Sequence, residues 1–176
     1  MLKPKSGGDL NKNTVSLAGE FAVLSRLALE GYDANMTLGR TKSVDILVSM
    51  PVDGRMLKLE VKTSQQKGKK FVWKSKVFGT YEYEWIMSEK HETINDPTLF
   101  YCFVIIGSDR KQFRFFNVPS DIVAKYVRDQ HRLWRKRETH NRETTMRMFR
   151  IGRKGEKYPL YTPTVEEFED NWKFKR

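Results

Sequence analysis

Cysteine is almost absent from this chain. Cys102 stands alone among 176 residues, which excludes an internal disulfide and a cysteine-built zinc cage. Histidine is scarce as well: His91, His131 and His140 show no metal-ligand spacing among themselves, and a structural or solvated role is expected for each. The opening stretch MLKPKSGGDLNKN has charges but no apolar signal core, and no later run is long and apolar enough to span a bilayer. A cytoplasmic protein with no membrane partner is expected. No glycine-rich phosphate loop is present, since SGGD and IGRKGEK lack the spacing and the strand context of one. Acidic residues are outnumbered by basic ones, 22 to 33, which leaves a net charge of +11 and an isoelectric point of about 9.7. Such an excess attracts polyanions, so nucleic acid is the first partner to consider.

What is present is a chain with 39% hydrophobic residues, enough for a folded core, and no internal repeat or domain-splitting linker. Residues 1–12 read as a flexible basic arm, and residues 13–176 as one domain. Apolar residues at three- and four-residue spacing (Val15, Ala18, Phe21, Ala22, Leu24, Leu27, Ala28) predict a helix from Asn13 or Thr14 to about Glu30, stopped by Gly31. VDILVSM and LKLEV are predicted strands joined by PVDGR. A short strand is expected around Phe71 to Trp73, and a helical or irregular piece over 82–92. TLFYCFVIIG reads as a strand buried on both faces, with QFRFFNV pairing back onto it. Ser120 is placed as the N-cap of a helix to about Arg137. Residues 138–155 are polar and basic, and TVEEFEDNW is a short helix docking through Val165, Phe168 and Trp172.

The hairpin carries the chemistry. With Asp53-Gly54 as a tight turn, Ile46 would face Val61, Val48 would face Leu59 and Met50 would face Leu57, making one apolar face. The other face would hold Asp45 with Lys62, Leu47 with Glu60 and Ser49 with Lys58, with Asp45 and Glu60 as diagonal neighbours. Two carboxylates gathered this way repel one another and suit a hard divalent cation such as Mg²⁺. A lysine beside that ion can orient a water or neutralise a phosphate, chemistry that hydrolyses a phosphodiester. The plainer reading of the same residues is a solvated strand face with a weak ion pair.

Glu20 in the first helix, after Gly19, Asp45 on the first strand and Glu60-Val61-Lys62 on the second resemble the PD-(D/E)XK nuclease superfamily. Holliday junction resolvases and related restriction-endonuclease-like proteins are the nearest likeness over residues 14–66. The later half is more similar to uncharacterised bacterial relatives. Val44 stands where many members have proline. The resemblance implies a restriction-endonuclease-like α/β fold, three-layer α/β/α around a central mixed sheet. It also implies Mg²⁺ or Mn²⁺ held by Glu20, Asp45 and Glu60, with Lys62 completing the catalytic set and Gln65 or Gln66 as an auxiliary. The activity it implies is metal-dependent hydrolysis of duplex or branched DNA by a homodimer. A non-catalytic DNA-binding module of the same fold and an RNA-directed nuclease are the alternatives.

Two basic stretches are candidates for tracking phosphates. Lys67, Lys69, Lys70, Lys74 and Lys76 surround Trp73, which could stack on a base; Arg132, Arg135, Lys136, Arg137 and Arg142 form the second group.

Overall fold

Asn11 starts the first helix. Its Oδ1 accepts the Thr14 amide hydrogen at 2.8 Å, and α1 runs Lys12–Leu29 in the computed structural model, which describes residues 10–37, 44–66, 73–137 and 144–176. Lys12 is therefore helical rather than part of an arm, and residues 1–9 lie outside the described residues. Gly31 adopts φ +83°, and the Gly31 and Tyr32 amides bond back to the Ala28 and Leu27 carbonyls, closing the helix. The buried stripe is Gly19, Val23 and Leu27. Phe21 stays half exposed, because a position two residues from both Gly19 and Val23 lies on the far side of a 3.6-residue turn.

Among the described residues eight strands follow: β1 (Asp33–Met36), β2 (Ile46–Ser49), β3 (Met56–Gln65), β4 (Trp73–Ser75), β5 (Gly79–Ser88), β6 (Leu99–Ile106), β7 (Phe113–Pro119) and β8 (Met146–Gly152). Five form a mixed sheet in the order β1-β2-β3-β6-β7, parallel only between β3 and β6. A parallel pair needs a long crossover. Here the crossover contributes β4 and β5, which join β8 in a second, antiparallel sheet. Helix α2 (Ser120–Arg137) and the short α3 (Val165–Phe168) complete the elements.

The mixed sheet is covered on both faces. Val23 and Leu27 of α1 pack with Ile46, Val48, Leu57, Leu59 and Val61 on one side, where Trp172 and Phe174 also dock. On the other side Tyr101, Phe103 and Ile105 of β6 pack with Trp85 of β5, Phe149 of β8 and Val123 and Val127 of α2. The layer opposite α1 is thus part sheet and part helix. Each fully buried aliphatic or aromatic side chain here contributes roughly 1.5–3 kcal/mol of transfer free energy. Among the described residues no helix is long and apolar enough to cross a membrane.

The β2–β3 hairpin differs from the sequence expectation. Ile46 faces Leu59, Leu47 faces Lys58 and Val48 faces Leu57, two residues away from the register of a tight Asp53-Gly54 turn. Met50 bonds to Arg55, so Pro51–Gly54 form a longer loop in which Gly54 has φ +68° and Asp53 keeps a negative φ. A type I′ turn needs positive φ at both central residues, whereas Pro51 fixes its own φ near −65° and favours a loop built on a common turn. A two-residue shift preserves which face each side chain occupies, so the aliphatics still face α1.

Two further expectations are corrected. Residues 82–88 are strand, with Tyr81, Tyr83, Trp85 and Met87 pointing inward in strict alternation. Met146–Gly152 is also a strand, although Arg147 and Arg150 interrupt its apolar pattern. Both arginines are buried, with Arg147 bound to Glu92 and Arg150 lying over the Phe78 ring at 4.4 Å. Ser120 begins α2, but its hydroxyl is engaged with Asp96, donating to that carbonyl at 2.7 Å and accepting from that amide at 3.1 Å.

Candidate active site

Asp45, expected on the first strand of the hairpin, instead immediately precedes β2 in a bend, and its Oδ2 accepts the Val61 amide hydrogen at 2.7 Å. The carboxylate stands where the next carbonyl of β2 would continue the ladder, which holds it against β3. The paired register ends at Ile46 with Leu59, and the Asp45 amide bonds to the Leu59 carbonyl at 2.8 Å, so Asp45 does not take the position facing Lys62 that the sequence predicts. Burial raises the Asp45 pKa most strongly, against the lowering effect of the Val61 hydrogen bond and Lys62; the Glu60 charge raises it further.

Glu60 was expected on a solvated face and is instead only 3% exposed, because β5 and the 3₁₀ turn Glu89–Glu92 cover that side of the sheet. Its Oε1 lies 2.6 Å from Lys62 Nζ. Its Oε2 is buried and has no hydrogen-bond partner within 3.5 Å, although the Tyr101 phenol lies close enough to interact with the carboxylate. Tyr101, the register partner of Glu60 on β6, and His91 of the 3₁₀ turn enclose this oxygen. His91 Nδ1 is 2.8 Å from the Tyr101 hydroxyl and 3.9 Å from Glu60 Oε2. Burial lowers the His91 pKa to about 4, with Lys62 and Lys90 adding to the effect and Glu60 opposing it. Burial also pushes the Tyr101 phenol well up. Neither residue stood out in the sequence. The only signal was a polar tyrosine in the apolar run of β6, on the face shared with Glu60.

Glu20 reaches the group from α1. Gly19 lies so close to β3 that a Cβ there would stand 1.8 Å from Thr63 Oγ1, and this close approach carries Glu20 toward the strand. Its carboxylate accepts the Ser16 hydroxyl at 3.0 Å. Partial burial raises its pKa, with Asp45 raising it further and Lys62 lowering it, so the three charges share one field. Lys62 is the common neighbour: it is paired with Glu60 and lies within electrostatic reach of Glu20 and Asp45.

No three histidine, cysteine, aspartate or glutamate side chains among the described residues stand close enough to enclose a metal ion. The donor set nevertheless suits one kind of ion. Mg²⁺ keeps several waters and commonly uses one or two carboxylates plus substrate phosphate oxygens. Asp45 and Glu60 supply such hard oxygens, and the orphaned Glu60 Oε2 is a buried acceptor that a cation would satisfy.

Gln65 and Gln66, with Ser64 and Trp73, line a cavity of about 330 Å³ at the end of β3. Lys67, Lys69, Lys70 and Arg142 lie outside the described residues. Lys74 and Lys76 are exposed, as are Arg132, Arg135 and Lys136 on the last turns of α2. Arg137 Nη1 donates to the Lys76 carbonyl at 3.4 Å, bringing the two basic stretches side by side. Trp85, by contrast, is core: its Nε1 donates to the Val104 carbonyl at 3.1 Å.

No family model matches the sequence, and no curated protein does. Among solved structures the chain is similar to a bacterial homing endonuclease, I-Ssp6803I, at 16% identity and a TM-score of 0.52, over 93% of this chain and 89% of that one. At this identity the likeness is one of fold.

Proposed function

We propose that the chain is a Mg²⁺- or Mn²⁺-dependent endonuclease that hydrolyses DNA phosphodiester bonds through Glu20, Asp45, Glu60 and Lys62. One observation carries the reading: Glu60 is buried beside Asp45 with one oxygen on Lys62 and the other without a hydrogen-bond partner. A buried, half-satisfied carboxylate is costly. A module that only binds DNA gains nothing from acidic groups facing phosphates, whereas a phosphodiesterase needs them. The fold shared with a homing endonuclease supports the same reading.

Asp45 and Glu60 would hold the cation, while Glu20, too far to complete a three-carboxylate set, would add negative charge from α1. The ion would supply Lewis-acid polarisation of the phosphate and an activated water. Asp45 is locked in place by the Val61 amide, so its oxygen needs no reorganisation during the reaction. Lys62 holds Glu60 at rest and would neutralise the phosphate oxygen or steady the attacking water in the transition state. Water oxygen bonds to phosphorus as the bridging P–O bond breaks, and the leaving oxygen takes a proton. The exposed Lys74, Lys76, Arg132, Arg135 and Lys136 would track the backbone, and a homodimer would supply the two sites that duplex cutting needs.

Calorimetry with Mn²⁺ tests the ion site. Wild type should bind, Asp45→Asn and Glu60→Gln should bind at least about tenfold more weakly, and Lys62→Ala should retain affinity. Equal affinity in wild type and both carboxylate variants would remove the metal from the proposal.

A further inference from the structure

We propose that the cavity at the C-terminal end of β3 binds an unstacked nucleobase carrying an exocyclic amino group. This rests on the nuclease reading of the neighbouring carboxylates and adds a substrate class to it: nucleic acid with a base out of the stack, as in single strands and branch points.

Position comes first. Ser64, in the cavity floor, lies two residues beyond Lys62 on the same face of β3, about 7 Å along the strand. That spacing matches a base attached to a nucleotide whose phosphate sits at Lys62. Ser64 and Ile105 are register partners, so the floor is rigid sheet rather than loop.

Shape and chemistry come next. A volume of about 330 Å³ is at the small end of the range for ligand pockets. Trp73, half exposed at the start of β4, supplies aromatic surface, and the buried Tyr83 of β5 also lines the cavity. Every base has a π-face for such a surface. The Gln65 and Gln66 amides offer both donors and acceptors to a base edge.

Hydrogen-bond acceptors decide the class of ligand. The cavity includes two carboxylates, Glu82 and Glu84, each paired with an arginine. A carboxylate has about four lone-pair sites, so an arginine-paired one still accepts a hydrogen bond from the amino group of a base. Both carboxylates come from β5, on either side of Tyr83. Arg153 Nε at 3.1 Å fixes Glu82, and Arg150 Nε at 3.3 Å fixes Glu84.

The test compares single-stranded oligonucleotides of about 12 nucleotides, namely oligo-dC, oligo-dT and an abasic strand of equal charge, by fluorescence anisotropy in Ca²⁺. Cytosine carries the amino group at C4 where thymine carries a carbonyl oxygen; thymine also has an N3 hydrogen and a C5 methyl, so oligo-dU serves as a methyl-free control. Oligo-dC should bind at least about fivefold tighter than any of the others. Trp73→Ala should lower oligo-dC affinity by about fivefold or more and leave the abasic strand unchanged. Gln65→Ala, on a second wall, should reduce the dC-over-dT preference, with circular dichroism confirming that both variants fold. Equal binding of all the strands by wild type would overturn the proposal, as would a variant that weakens abasic and dC strands alike. Base preference without cleavage would keep the pocket and discard the nuclease reading; cleavage without base preference would do the reverse.

Discussion

The Asp45 carboxylate accepts the Val61 amide hydrogen at 2.7 Å, so an acidic side chain takes the place of a backbone carbonyl in the central sheet. Two consequences follow for stability. Burial raises the Asp45 pKa above its unfolded value, so the ionised group costs the folded state free energy at neutral pH. That cost is relieved as pH falls through the folded pKa.

Asp45→Asn keeps an acceptor for the Val61 amide and removes the charge. In chelator the variant should melt higher than wild type at pH 7, and the difference should shrink toward acid pH. Saturating Mn²⁺ should reverse the order, since binding at about 100 times Kd stabilises wild type by roughly 2.7 kcal/mol. A variant less stable than wild type under chelator would show that the carboxylate is structural.

Gly19 sets the height of α1 above β3. Gly19→Ala should destabilise the fold by about 1–3 kcal/mol, since its Cβ would overlap Thr63 Oγ1. Adding Thr63→Ala should recover part of that loss in a double-mutant cycle by denaturant unfolding. Additive losses would show that the two residues do not meet.

His91 is buried neutral, with a pKa lowered to about 4. Its stability contribution is present above the unfolded value of 6.5 and is lost as pH falls toward 4, a swing of up to roughly 3 kcal/mol. His91→Gln should flatten the fall in stability over that interval, measured by urea unfolding at successive pH values. An unchanged pH profile would place the acid sensitivity elsewhere.

Much of the candidate site's arrangement was legible because strand periodicity is strict. Leu57, Leu59 and Val61 alternate with Lys58, Glu60 and Lys62, and any register that buries the first set aligns the second. The turn departs from a two-residue hairpin because Pro51 acts against the strong Asp53-Gly54 signal, and the two-residue shift leaves the faces intact. Burial of Glu60 was not legible. It depends on β5 and the 3₁₀ turn folding over the sheet, contacts made by residues more than twenty positions away. Strand β8 was hidden by Arg147 and Arg150, whose charges are met by Glu92 and Glu84 from distant elements. His91 and Tyr101 meet Glu60 only through the parallel β3–β6 pairing, which no local pattern announces.

The most direct measurement is single-turnover cleavage of duplex, single-stranded and branched DNA, and of RNA, by purified protein with Mg²⁺ or Mn²⁺. Wild type should cleave DNA only with the divalent ion. Asp45→Asn and Glu60→Gln should be inactive, and Lys62→Ala should be slower by about 10²-fold or more. Cleavage that survives chelation or persists in both carboxylate variants would contradict the assignment, as would the absence of cleavage on every substrate by a folded, metal-loaded wild type.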